Sequence, residues 1–162
     1  MNVHTNHTRS PLMKALPIAL ILLVALMVSA RPALAQGPTC TVTDAGDSGP
    51  GTLRQCVATV DSGGFIDFNL STSDVITLTT GEIAIDKALT IDGPGAASLA
   101  VTGNNASRIF TATAALTIDG VTLRDGNTSG HGGAIQTTAP LTLTSMAVIS
   151  NISTAYGGAI AS

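Results

Sequence analysis

The chain has 162 residues with no tryptophan, one tyrosine and three phenylalanines, so a core has to be built from Ile, Val, Leu and Ala, which excludes a thick aromatic-filled interior and suits thin repeated layers. Its formal net charge is −3; beyond residue 35 only Arg54, Lys87, Arg108 and Arg124 stand against ten carboxylates, a net charge of −6. That balance excludes nucleic acid as a partner, because binding a phosphate backbone needs a basic surface.

Residues 1–35 read as a signal peptide. Arg9 and Lys14 give a basic start, the 16 residues from Ala15 to Ala30 carry no charge, and Ala33-Leu34-Ala35 offers an A-x-A site before Gln36. Cleavage is expected between Ala35 and Gln36, which exports the remainder to the cell surface or the extracellular space. The apolar run falls short of the roughly 20 residues that cross a bilayer, so no membrane span is expected once the signal is removed.

Cys40 and Cys56 both lie in the exported part. In an oxidising compartment an even pair close in sequence reads as one disulfide closing a short loop; two separately buried thiols are the alternative. Between them, Leu53, Cys56, Val57 and Val60 recur at helical spacing from Thr52 to Val60. Thr52 and Gln55 form a capping-box pair, and Gly63-Gly64 can end the helix. Residues 65–80 then alternate, with Ile66, Phe68 and Leu70 on one face and Ile76 and Leu78 on the next strand. Residues 36–80 are therefore expected to form an amino-terminal cap.

From residue 81 onward the chain repeats. Ile85, Phe110, Ile135 and Ile160 stand at a constant step of 25. A second series runs Leu89-Thr90-Ile91, Leu116-Thr117-Ile118 and Leu141-Thr142-Leu143; a third runs Leu99-Ala100-Val101, Val121-Thr122-Leu123 and Ala147-Val148-Ile149. Each triplet has apolar outer residues, the period-2 signature of a strand with one buried face. Three short strands per period of about 25, separated by Gly, Asn, Asp and Pro, predict an all-β fold: a right-handed parallel β-helix of about three and a half coils over 81–162. The handedness follows from the general preference of parallel crossovers. Two ladders are expected inside, Ile85–Phe110–Ile135–Ile160 and Ile91–Ile118–Leu143. The carboxy-terminal end of the stack is expected to be open, a β edge and apolar layer suited to end-to-end self-association or to a further stretch of chain.

These residues resemble a known group, the secreted bacterial β-helix proteins with a Cys-Ser-Leu-Arg-Glu type amino-terminal motif and repeats like those of chlamydial polymorphic outer-membrane proteins. The resemblance rests on Cys40-Thr41-Val42-Thr43-Asp44, on Gly49-Pro50-Gly51-Thr52-Leu53-Arg54-Gln55, on Phe65-Ile66-Asp67-Phe68, on Leu89-Thr90-Ile91-Asp92-Gly93-Pro94-Gly95 and on the Gly-Gly-Ala-Ile repeats at 132–135 and 157–160. Thr52 stands where the motif favours Ser, Gln55 where it favours Glu, and Cys56 where a small residue is common. The resemblance implies an extracellular or surface-displayed β-helix, the passenger part of a longer protein, and offers no catalytic residue.

Within the repeats, Asp92 and Asp119 take the same place in successive coils and are candidates to share a calcium ion, which takes 6 to 8 oxygen ligands. Lys87, Arg108 and Arg124 are candidate bases or clamps on an acidic sugar. The competing reading is that each Asp precedes Gly in a turn and bonds its own backbone. Asn104, Asn105, Asn127 and Asn151 fall at turns and suit a stacked amide ladder. Asn69, Asn105, Asn127 and Asn151 also begin N-x-S sequences, which we read as turn chemistry. His131 and Tyr156 hold equivalent places before the two Gly-Gly pairs, and a lone His is no metal site. No nucleophile triad is legible. The leading expectation is a structural or adhesive module that meets glycans or other cell-surface components through ladders of Thr, Ser and Asn. A polysaccharide-active enzyme of pectate-lyase type and a truncated fragment without activity of its own are the alternatives.

Overall fold

The computed structural model describes residue 1, residues 37–71 and residues 73–162. The signal segment and the expected Ala35–Gln36 cleavage point lie outside the described residues. Among those described, no helix is long and apolar enough to cross a membrane.

In chain order the elements are β1 (Thr39–Val42), α1 (Leu53–Thr59), β2 (Gly64–Phe68), β3 (Asp74–Thr77), β4 (Ile83–Ile85), β5 (Leu89–Asp92), β6 (Leu99–Thr102), β7 (Phe110–Ala112) and β8 (Leu116–Asp119). They continue with β9 (Thr122–Arg124), β10 (Asn127–Thr128), β11 (Ile135–Thr137), β12 (Leu141–Thr144), β13 (Ala147–Ile149), β14 (Ile152–Ser153) and β15 (Ile160–Ala161). Strands this short cannot satisfy their own backbone groups, and each pairs instead with the turn above or below. The first sheet runs β1-β2-β5-β8-β12, the second β3-β6-β9-β13 and the third β4-β7-β11-β15, with β10-β14 as a fourth, two-stranded strip. Every pairing is parallel. The result is the expected all-β parallel β-helix, a solenoid of about 5 turns spaced about 25 residues apart.

The stack is longer than the repeat count because β1, β2 and β3, all within the segment read from sequence as a cap, are themselves rungs of the first two sheets. Only α1 departs from the solenoid path. Its spacing is as expected: Leu53, Cys56 and Val57 are buried, and Thr52 caps it by accepting from the Gln55 N–H. The Gln55 side chain reaches back one residue beyond the cap, taking the Gly51 N–H at 3.0 Å. Lys87 Nζ donates to the Ala58 and Val60 carbonyls at 2.9 and 2.8 Å, placing a cation where the helix dipole is negative.

Buried columns run through the stack. Ile66, Ile91, Ile118 and Leu143 lie in register in the first sheet, and Ile76, Val101, Leu123 and Val148 in the second. In the third, Phe110, Ile135 and Ile160 stack as expected. Below Phe110, however, the partner is Ile83, and Ile85 pairs with Ala112. The slip is two residues, which preserves the alternation and keeps Ile83 and Ile85 both inside. Its origin is the turn after β6: Thr77 pairs with Thr102, yet two more residues separate Thr102 from Phe110 than separate Thr77 from Ile83. A further length change is hidden in the period. The connection from Ile118 to Leu123 is five residues shorter than that from Ile91 to Val101, and the next turn, through 125–133, is longer to compensate.

Two turns approach so closely that only glycine fits. Gly120 has φ +62°, and a Cβ there would lie 2.5 Å from the Gly93 carbonyl oxygen one turn away. In the last turn Leu141, Leu143, Met146, Val148 and Ile160 are half-buried, whereas their counterparts Leu116, Ile118, Val121, Leu123 and Ile135 are at most 1% exposed.

Cys40 of β1 and Cys56 of α1 form the expected disulfide, with their Cα atoms 5.5 Å apart. It fastens the helix to the first rung. On chain entropy a loop of this length is worth about 3 kcal/mol, so the double substitution Cys40→Ala/Cys56→Ala should lower urea-unfolding stability by about that amount. Loss of protection in hydrogen exchange should begin in β1 and α1; uniform loss across all sheets would contradict this local role.

Candidate functional site

The outer face of the first sheet carries the carboxylates singled out from sequence. In each Leu-Thr-Ile-Asp rung the Leu and Ile point inward, so Thr and Asp point out. Asp92 and Asp119 pair directly in neighbouring rungs, with Thr144 above. Asp67 follows Ile66, the partner of Ile91, and so continues this column downward. Sequence reasoning passed over Asp67 because its rung was assigned to the cap; the shared Ile-Asp step at 66–67, 91–92 and 118–119 was the available signal. Its Oδ1 is buried with no hydrogen-bond partner.

A column is not a coordination shell. Neighbouring rungs stand about 4.8 Å apart, while calcium needs six or more oxygens at about 2.3–2.6 Å. Among the described residues, no group of three or more His, Cys, Asp or Glu side chains is placed to hold a metal ion. The calcium candidates Asp92 and Asp119 are adjacent as expected, but nothing converges on them. Neither accepts a hydrogen bond from another described residue, so the turn bond expected of each is not formed either.

The cations proposed as clamps are committed elsewhere. Lys87 holds the end of α1. Arg108, 10% exposed at its side chain, pairs with Glu82 at 2.7 Å and donates through Nε to the carbonyls of His131 and Gly132 at 3.1 and 2.9 Å. Arg124 pairs with Asp125 at 2.7 Å. Lys87 and Arg108 tie separate segments together and Arg124 is held by its own neighbour, so each of the three has a partner other than Asp92 or Asp119.

The turn asparagines bond between coils, though to backbone rather than to one another. Asn127 Nδ2 donates to the Asn105 carbonyl at 3.1 Å, Asn151 Nδ2 donates to the Leu123 and Ile149 carbonyls, and Asn151 Oδ1 accepts from the Gly126 N–H at 2.8 Å. Asn104 and Asn105 are exposed in left-handed backbone, φ 53° and 52°. An amide ladder needs identical neighbours at identical places, and the unequal turn lengths deny it that. His131 and Tyr156 do stack, with ring centroids 5.5 Å apart and planes 7° from parallel.

The densest polar cluster is one the sequence did not suggest. Asp47, in the turn between β1 and α1, accepts from Arg54 Nη2 at 2.7 Å, from the Thr79 and Thr80 N–H groups at 2.9 and 2.7 Å, and from both threonine hydroxyls. Arg54 also donates to the Gly81 and Glu82 carbonyls. Burial alone raises the Asp47 carboxyl, but the Thr80 hydroxyl, the Arg54 guanidinium and the two backbone N–H groups outweigh it and hold the group well below its ordinary value of 3.8. The cluster is a clasp joining the first turn to the 79–82 corner.

Because the Asp47 side chain is only 6% exposed, Asp47→Ala should cost about 2–4 kcal/mol at neutral pH. A depressed folded-state value means that this stability is fully present above the ordinary carboxylate value and is lost as pH falls from there through the folded one. The gap in urea midpoint between wild type and Asp47→Ala should therefore be constant from pH 7 to about pH 5 and narrow below about pH 4. A gap that stays the same at pH 2.5 would refute the ionic origin of the clasp.

Compared with protein-family models, curated proteins and solved structures, the chain matches none of them.

Proposed function

We propose that this chain is an exported, surface-displayed or extracellular β-helix module with a structural or adhesive role. The observation that carries the reading is the outer face of the first sheet, where Thr90, Thr117 and Thr142 stand in register beside Asp92, Asp119 and Thr144. A regular polar array on a stiff scaffold suits many weak contacts with an extended glycan or another surface, whereas catalysis needs groups that converge on one reacting atom. Commitment of Lys87, Arg108 and Arg124 to structure supports the same reading. Export is supported by the Ala33-Leu34-Ala35 site and by the Cys40–Cys56 disulfide, since such bonds persist in oxidising compartments. Kinship with the β-helix proteins named above is part of this proposal, and Arg54 of the shared motif acts as the clasp on Asp47.

Expression of the full chain in a bacterial host should yield a product outside the cytoplasm whose mass corresponds to a start at Gln36 with the two cysteines oxidised. Immobilised, it should retain cell-surface polysaccharide without shortening it. A cytoplasmic product with Met1 intact would sink the export reading, and release of shortened oligosaccharides would sink the adhesive one.

A further inference from the structure

The outer face of the first sheet holds more than Thr and Asp. Phe65 of β2 lies between the buried Gly64 and Ile66 and so points outward. It pairs with Thr90, which pairs in turn with Thr117. Phe65, Thr90 and Thr117 therefore make one column, and Asp67, Asp92 and Asp119 stand two residues along on the same three rungs. Each of these rungs has a neighbour on both sides, with β1 below the set and β12 above it. The step within a column is about 4.8 Å, and the step between the two columns, two residues of strand, is about 6.6 Å.

The polar groups of this face are unspent. Asp67 Oδ1 is buried with no hydrogen-bond partner, and the Thr90 and Thr117 hydroxyls and the Asp92 and Asp119 carboxylates make no hydrogen bond with another described residue. Carboxylates directly opposite one another on adjacent strands repel, and the rung spacing is too wide for them to share a metal ion. Arg54, Lys87, Arg108 and Arg124 hold other partners. The face therefore carries uncompensated negative charge along one column, hydroxyls along the other and an apolar ring at one end. Its complement is an extended chain with positive charge. A basic peptide laid along the columns is out of step, because its same-side residues recur every two positions, about 6.6 Å. A hexose in an extended β-1,4-linked glycan is close to one rung in length and close to the gap between the columns in width.

We propose that the outer face of β2, β5 and β8 docks a linear β-1,4-linked glucosamine chain, its amines free and protonated, lying along the solenoid axis with one sugar per rung. One sugar packs its C–H face on Phe65, and the hydroxyls of the next two reach Thr90 and Thr117. Successive units of such a chain are turned over, so an amine meets the carboxylate column at every second rung, at Asp67 and Asp119, and the hydroxymethyl group of the unit between them meets Asp92. Ion pairs on a solvated face are individually weak, so affinity comes from their number together with the ring contact. The inference rests on the adhesive reading above and names the ligand class of the face that carries it.

The probe is the hexamer of β-1,4-linked glucosamine, added to the full chain at mildly acidic pH, where the sugar amines are charged. Saturation-transfer NMR should show its ring protons in contact with the protein, and calorimetric titration at low salt should give a dissociation constant on the order of 0.1 mM. The fully N-acetylated hexamer, alike in backbone but uncharged, should bind about tenfold more weakly, and hexagalacturonate more weakly still. Added salt should narrow the gap between the amine and N-acetyl forms. Phe65→Ala should lose about tenfold in affinity for both hexamers; its folding is checked by urea midpoint, and Phe65→Tyr, which keeps the ring, should restore binding. Asp67→Asn/Asp119→Asn should cut the preference for the amine form to about twofold. Equal affinity of the wild type for the two hexamers would overturn the proposal, as would wild-type affinity in folded Phe65→Ala or tighter binding of hexalysine. If the glucosamine hexamer does not bind and the protein still retains cell-surface polysaccharide, this ligand is refuted and the adhesive reading stands. Binding of the hexamer without retention of any cell-surface material would support the docking face and refute the adhesive role.

Discussion

The constraint on which everything else depends is that no strand here is stable except against the turn before or after it. Strands of two to five residues cannot offset the ordering of their own backbone, at roughly 1–2 kcal/mol per residue, with the one or two side chains each buries at about 1.5–3 kcal/mol apiece. Pairing resolves this by making each rung the template for the next: the Ile83 N–H finds the Ile109 carbonyl, the Leu89 N–H that of Ala115, and the Leu116 N–H that of Pro140. The same register that satisfies backbone groups stacks Ile on Ile and Leu on Leu, so one sequence period serves both requirements. A thin core without tryptophan is then no handicap, because each layer holds only a few side chains.

Much of this was legible because side-chain alternation and the 25-residue step are local signals. The triplets at 89–91, 116–118 and 141–143 lie where they were expected, as does the helix face of Leu53, Cys56 and Val57. What escaped was information held in turn length. Counting 25 from Phe110 leads to Ile85, but the rung that pairs with Phe110 begins at Ile83, and the two isoleucines are indistinguishable by pattern because both point inward. Assigning 65–80 to a cap concealed the fact that Ile66-Asp67 is one more copy of the Ile-Asp step. The Asp47 clasp was out of reach for a different reason: its threonine partners sit 32 and 33 residues away, and one Asp in a Gly- and Ser-rich turn carries no mark of the bonds it makes.

Charge in this molecule is largely structural. Arg54, Arg108, Arg124 and Lys87 each bridge segments distant in sequence or adjacent in a turn, and their partners are mostly backbone carbonyls at corners. Corners are where the parallel pairing lapses and carbonyls are left over, so a long cationic side chain there satisfies several acceptors at once. That use removes the cations from the list of chemical actors. Asp67, Asp92 and Asp119, by contrast, form no ion pair with another described residue and stand in one column, which gives the first sheet a regular polar face.

The three corners of the coil are not equivalent, and the difference bears on where function can reside. Passage from the third sheet to the first is the same length in successive turns, from Ile85 to Ile91, Ala112 to Ile118 and Thr137 to Leu143. The other two corners lengthen and shorten against each other while the strands stay in register. Loop length costs little once the ends are held together, so these corners can change without disturbing the ladders. The longest of them carries His131 and Tyr156, an aromatic pair with no counterpart in the lower turns. A solenoid of this kind separates its two tasks by geometry: inward-facing side chains and the invariant corner specify the fold, and the outward faces and variable corners are where side chains project that the fold does not require.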